Sequence, residues 1–163
     1  MDIMKDMLSL SAHLPEAHFA PGDTVVHEGD AAGGVWVLVS GALQVRKGAV
    51  LVNTINRPGA LIGEISVLLG TTYGATVEAT ASSLLRHAAD GRAFLSNDPH
   101  ISQLVAAGLA ERLNFMTTYL ADLKYQYGDA PGLSMVTEVL NELAQRQAPL
   151  ARSGSARDSD PEY

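Results

Sequence analysis

Apolar positions along the chain change their period twice. Between Thr24 and Leu85 they come in short, β-branched runs broken by Gly, Asn and Pro: Thr24-Val25-Val26, Val35 to Val39, Ala42 to Arg46, Val50 to Ile55, Thr76 to Ala79 and Leu84-Leu85. Runs of this length separated by turn residues predict antiparallel strands in a sandwich or roll. Val35-Trp36-Val37-Leu38-Val39 is almost wholly apolar, the pattern of a strand covered on both faces. Gly29-Asp30, Ser40-Gly41, Lys47-Gly48 and Asn56-Arg57-Pro58-Gly59 supply the turns.

Further on the period becomes helical. Asp90 to Leu95 predicts a short helix, and Asn97-Asp98-Pro99 is a helix start with Asn97 or Asp98 as cap and proline in the first turn. The following helix, to about Tyr127, carries Ala106, Leu109, Leu113, Met116, Leu120, Leu123 and Tyr127 at alternating steps of three and four, a heptad seam. An apolar stripe of that kind predicts a homodimer interface made by Leu109, Leu113, Met116, Leu120 and Leu123. Packing of the stripe on the chain's own roll or on the next helix is the alternative. Gly128 to Gly132 breaks the pattern. Leu133, Val136, Leu140 and Leu143 then predict an amphipathic helix to about Gln147. After Pro149 no apolar period remains, which predicts a disordered tail. The expected organisation is 1–128, the roll with its long helix; 129–148, the last helix; and 149–163, the tail.

Composition narrows the function classes. The chain has 163 residues, 47% hydrophobic and 18% charged, enough for one domain with a real core. No apolar run approaches the roughly 18 residues that span a bilayer, and the N-terminus has no basic segment leading an apolar one, so a soluble cytoplasmic protein without membrane contact is expected. There is no cysteine, hence no disulfide, thiolate metal site or thiol nucleophile. The formal net charge of −7 argues against a surface that tracks phosphates, and no nucleic-acid partner is expected. His13, His18, His27, His87 and His100 never form a His-x-His set suited to a metal, and no nucleophile elbow, Walker loop or dinucleotide loop occurs. Neither a metal, a cofactor nor an enzymatic activity is expected.

Four segments in order carry a resemblance. Phe19-Ala20-Pro21-Gly22-Asp23 leads through a strand to Glu28-Gly29-Asp30; Trp36 and Gly41 follow; then comes Gly63-Glu64-Ile65-Ser66 with Tyr73-Gly74-Ala75-Thr76-Val77; and last Ala110-Glu111-Arg112-Leu113. From Phe19 to Lys124 the chain resembles the cyclic-nucleotide-binding domain family, the sensor domain of the catabolite activator proteins. The resemblance implies an α+β, mainly β fold: an antiparallel β-roll or jelly roll with a short cassette helix, flanking helices and a long C-terminal dimerisation helix. It also implies a ligand, cAMP or cGMP, held by a phosphate-binding cassette that falls here on Ile62, Gly63, Glu64, Ile65, Ser66, Tyr73, Gly74, Ala75 and Thr76.

In the resembling family the glutamate of Gly-Glu meets the ribose 2′-hydroxyl, a role that falls on Glu64; the reading of the residue itself is a carboxylate at the start of its own helix. Met116 and Thr117 fall where the base is contacted, with Met116 also in the seam, and Thr117 can exchange hydrogen bonds with a purine edge. The family arginine falls on Tyr73, and its serine or alanine on Gly74. A phenol supplies one neutral hydrogen bond and no charge, so a tyrosine in the guanidinium's place weakens phosphate binding by about 100-fold or more. Arg57, Arg86 and Arg92 are the nearest arginines, each read as a solvated surface residue. Weak cyclic-nucleotide binding, a less charged nucleotide derivative and no ligand at all stay open. If the missing charge is the only deficit, Tyr73→Arg is expected to restore affinity.

Family transcription factors append a helix-turn-helix domain, whereas 36 residues follow Tyr127. The expected function is therefore a stand-alone sensor that signals through an unknown protein partner. The alternative is a roll that has kept the fold, lost the ligand and serves as a dimeric scaffold.

Overall fold

The computed structural model describes residues 2–128, 130 and 132–146. The expected tail, 149–163, lies outside them. Eight strands, β1 (Glu16–Phe19), β2 (Thr24–Val26), β3 (Val35–Ser40), β4 (Leu43–Lys47), β5 (Val50–Ile55), β6 (Leu61–Ile62), β7 (Thr76–Ala79) and β8 (Ser83–Ala88), form two antiparallel sheets. Their orders are β1-β8-β3-β6 and β2-β7-β4-β5. Helices are α1 (Ile3–Leu10), α2 (Glu64–Leu69), α3 (Gly91–Asn97), α4 (Pro99–Tyr127) and α5 (Ser134–Gln145). This is the antiparallel roll that the strand pattern predicts, with the flanking helices and long helix that the resemblance implies.

The core lies between the inner faces of the sheets. Val26, Leu38, Leu43, Ile62, Val77, Ala79 and Leu85 are buried together, with Phe19, Trp36 and Val45 packed against them. In β3, Val35, Val37 and Leu38 are fully covered, as the unbroken apolar run requires. Turn glycines set the strand ends. Gly41, at φ 107°, permits the β3 to β4 turn, and a Cβ there would meet the Ser83 Cα and Cβ at 2.6 Å.

Three elements, α1, β1 and the two-residue β6, were not read from the sequence. Helix α1 is capped by the Asp2 carboxylate, which accepts from the Lys5 amide, and it buries Met7. Strand β1 pairs with β8, bringing Glu16 opposite Arg86. At the predicted helix start, Asp98 ends α3, and its carboxylate accepts from the His100 amide at 2.8 Å. The chain divides into two compact units, Met1–Gly108 and Leu109–Tyr163. The first holds the roll and the opening of α4, where Ile101, Leu104 and Val105 are buried. In the second, Leu113 and Met116 of the seam are exposed, Leu109, Leu120 and Leu123 are half-buried, and Val136 of α5 is covered.

Candidate functional site

The two halves of the cassette come together in the first unit. Strand β6 ends at buried Ile62, whose register partner is Trp36 on β3. Gly63 then takes φ 88°, a conformation open to glycine, and turns the chain into α2. Glu64 opens that helix and is buried, 6% exposed, in spite of its carboxylate. Ile65 faces solvent. Ser66 binds the helix to the second half: its hydroxyl accepts from the Gly74 amide at 3.2 Å, and its carbonyl from Thr71 at 3.0 Å. Helix α2 stops at Gly70, φ 67°. Ala75 and Thr76 are half-buried, and the Thr76 hydroxyl accepts from the Glu28 amide at 3.0 Å. Thr117 is exposed on the part of α4 in the second unit.

Tyr73 is turned inward. Its amide donates to the Asp30 carbonyl and its carbonyl accepts from the Gly29 amide, both at 2.9 Å. Its hydroxyl donates to the Gly34 carbonyl at 2.7 Å and accepts from the Gly34 amide at 3.1 Å. The ring lies against Gly63, where a Cβ would stand 2.9 Å from the Tyr73 Cε1. The phenol is thus satisfied on both sides while its ring joins the core, the arrangement in which tyrosine is buried without penalty. Position 73 therefore does more than lack a charge. Tyr73→Arg would give up the hydroxyl's two bonds to Gly34 and the ring's place in the core, so a gain in affinity would come with a cost in stability.

Of the three arginines read as solvated, Arg57 is exposed, whereas Arg86 and Arg92 differ from that reading. Arg86 donates to the Leu8 carbonyl at 2.7 Å and the Ser11 hydroxyl at 3.2 Å, and pairs with Glu16 at 3.4 Å. It anchors the end of α1 to the roll. Arg92 donates to the Val67 carbonyl at 2.9 Å, satisfying the C-terminal end of α2 away from Gly63. The cation that does reach the cassette is one the sequence reading passed over: Lys47, at the end of β4, donates from Nζ to the Gly74 carbonyl at 2.8 Å. No signal in the sequence marks it, because the β4 to β7 pairing that brings this strand end to the cassette is a tertiary contact.

Behind Tyr73 lies an aromatic stack. His87 is parallel to Trp36 with ring centroids 3.9 Å apart, and Phe19 meets the indole edge-on at 5.4 Å. A Cβ on Gly34 would stand 2.5 Å from the His87 Nε2, so Gly34 is held between His87 and Tyr73 by its lack of a side chain. Burial pushes the His87 imidazole below its ordinary 6.5. On the outer face Arg46 pairs with Glu78 and, by its hydrogen bond, holds that carboxyl below the usual carboxylate range. A cleft of about 540 Å³, lined in part by His13, Pro15, His87, Asp90, Phe94 and Ile101, shares no residue with the cassette. Among the described residues no cluster suits a metal ion, and no helix is long and apolar enough to cross a membrane.

Two four-stranded antiparallel sheets with a short helix inserted between β6 and β7 define a β-roll. Residues 16–95 match the model of the cyclic nucleotide-binding domain, the family that the sequence resembles. It is 31% identical over 146 residues to the "CRP-like cAMP-activated global transcriptional regulator" of two Mycobacterium tuberculosis strains, covering 85% of this chain. The chain spans 62% of the length of those curated relatives. Among solved structures, the N-terminal domain of a transcriptional regulator from Streptomyces coelicolor is 25% identical with a TM-score of 0.51, covering 71% of this chain and 86% of that one. The Thermus thermophilus catabolite activator protein shares the fold at 20% identity, TM-score 0.57, with 86% and 84% covered.

Proposed function

We propose that the protein is a cytoplasmic regulatory module that takes a cyclic nucleotide, cAMP or cGMP, at the cassette of Ile62 to Ser66 and Tyr73 to Thr76. It passes the signal to a protein partner as a homodimer joined through Leu109, Leu113, Met116, Leu120 and Leu123. The carrying observation is the family match over 16–95, which contains both cassette halves, joined here by the Ser66 to Gly74 hydrogen bond. The exposed Leu113 and Met116 support the dimer, and the net charge of −7 supports a protein partner over a nucleic acid. No catalytic role is proposed, in keeping with relatives named as regulators.

Calorimetric titration with cAMP and with cGMP tests the reading. Saturable heat with either one supports it, and no heat at millimolar ligand removes it. Where a ligand binds, Glu64→Ala should weaken it by about 1–3 kcal/mol through loss of a charge-assisted bond. A second reading, a ligand-free scaffold, is favoured by one observation: Tyr73 fills the inside of the cassette with its own ring against Gly63 and its hydroxyl on Gly34. Light scattering of the wild type and of a Leu113→Asp/Leu120→Asp variant tests the dimer common to both readings.

A further inference from the structure

We infer that Lys47, on β4, supplies the positive charge toward a ligand phosphate that residue 73 does not. The inference rests on the cyclic-nucleotide reading above. The β4 to β7 pairing runs Leu43↔Ala79, Gln44↔Glu78, Val45↔Val77 and Arg46↔Thr76 without a shift, and Lys47 is the next and last residue of β4. Gln44 and Arg46 both bond Glu78. Leu43 and Val45 lie in or against the core, while Lys47, past the last β7 pair, is on an exposed face. The one irregularity of this hairpin lies between β4 and β5 and leaves the β7 side intact.

That face meets the cassette. The Lys47 Nζ is 2.8 Å from the Gly74 carbonyl and 4.0 Å from the point where a Gly74 Cβ would stand, directly after Tyr73. The hairpin is fixed there from a second side: the Glu28 carboxylate accepts from the Gly48 amide at 2.8 Å, while the Glu28 amide donates to Thr76. Arg86 and Arg92 are occupied elsewhere, on α1 and on the far end of α2. Lys47, by contrast, is exposed and rests on a neutral carbonyl, a partner it gives up for a phosphate at little cost. An ammonium is a point charge without the fork of a guanidinium, so it attracts an anion strongly while fixing its orientation weakly. Selection at this site then rests on charge more than on phosphate geometry.

Titration of the wild type, Lys47→Met and Lys47→Arg with cAMP and cGMP, at about 50 and 300 mM salt, tests the assignment. Lys47→Met is expected to lose at least about tenfold in affinity and to flatten the salt dependence, with Lys47→Arg holding both. Thermal melting of all three should coincide, because residue 47 is exposed. Wild-type binding that Lys47→Met leaves unchanged in strength and salt slope overturns the inference and leaves the ligand reading standing. A loss shared equally by Lys47→Arg makes the residue merely structural and overturns it too. No heat from the wild type at millimolar ligand overturns the ligand reading itself, and this assignment with it.

Discussion

The roll has a buried core, and the C-terminal helices have almost none. Of the described buried apolar residues, all but Val136 lie between Met7 and Val105. Leu113, Phe115, Met116, Tyr119, Tyr125, Tyr127, Met135 and Val139, all beyond Gly108, leave large side chains in solvent, as do Val50 to Val52 on β5 and Ile65, Leu68 and Leu69 on α2. The first region is folded by its own interior; the second has an apolar surface that a partner can cover. Under the proposed reading, the first part holds the ligand and the second offers its exposed side chains to a partner.

The sharpest way to break this contrast is a cavity in the roll. Leu85→Ala, at a fully buried site between the sheets, should lower unfolding free energy by about 2–5 kcal/mol in a denaturant titration. Next comes Tyr73→Phe. It strips the Gly34 amide and carbonyl of their shared partner and should cost about 1–3 kcal/mol, read in the same titration. A wild-type melting curve after Tyr73→Phe would mean that the phenol does not hold the cassette.

A smaller effect is set by pH. Burial lowers the folded His87 value below 6.5, so the unfolded chain binds the proton more readily. Stability from this group is full above 6.5 and declines as pH falls through that value toward the folded one. Glu78 is also lowered, which adds acid sensitivity below 4.5, in a separate window. Melting temperature should thus fall as pH drops from about 7 to 5, and His87→Gln should flatten that slope. The smallest change is expected outside the roll: at protein concentrations that keep the chain monomeric, Leu113→Ala should move stability by less than about 0.5 kcal/mol.

Much of the roll was legible because strands announce themselves through β-branched runs and glycine turns. Val35 to Val39, Val50 to Ile55 and Thr76 to Ala79 fall within a residue of β3, β5 and β7. What escaped was short or polar. Glu16-Ala17-His18-Phe19 has no apolar run, and β6 has two residues, so both exist only through their partners. Helix α1 did carry a signal, Asp2 followed by Ile3, Met4, Met7 and Leu8, the cap and spacing of an amphipathic start. At the cassette the residue types could be placed but their directions could not. Whether Tyr73 faces a ligand or the core depends on Gly34, 39 positions away, and whether Arg92 is solvated depends on the carbonyls that α2 leaves open. Such choices are made by tertiary contacts.

The indole stacked on His87 belongs to the only tryptophan of the chain. Fluorescence of the protein therefore has a single indole source, set against an imidazole whose protonation withdraws electron density from it. Trp36 also lies two residues from Gly34, the backbone that the Tyr73 hydroxyl grips. Any rearrangement of the loop before β7 reaches this chromophore through two short links, and emission intensity becomes an optical gauge of the sensor that needs no attached dye.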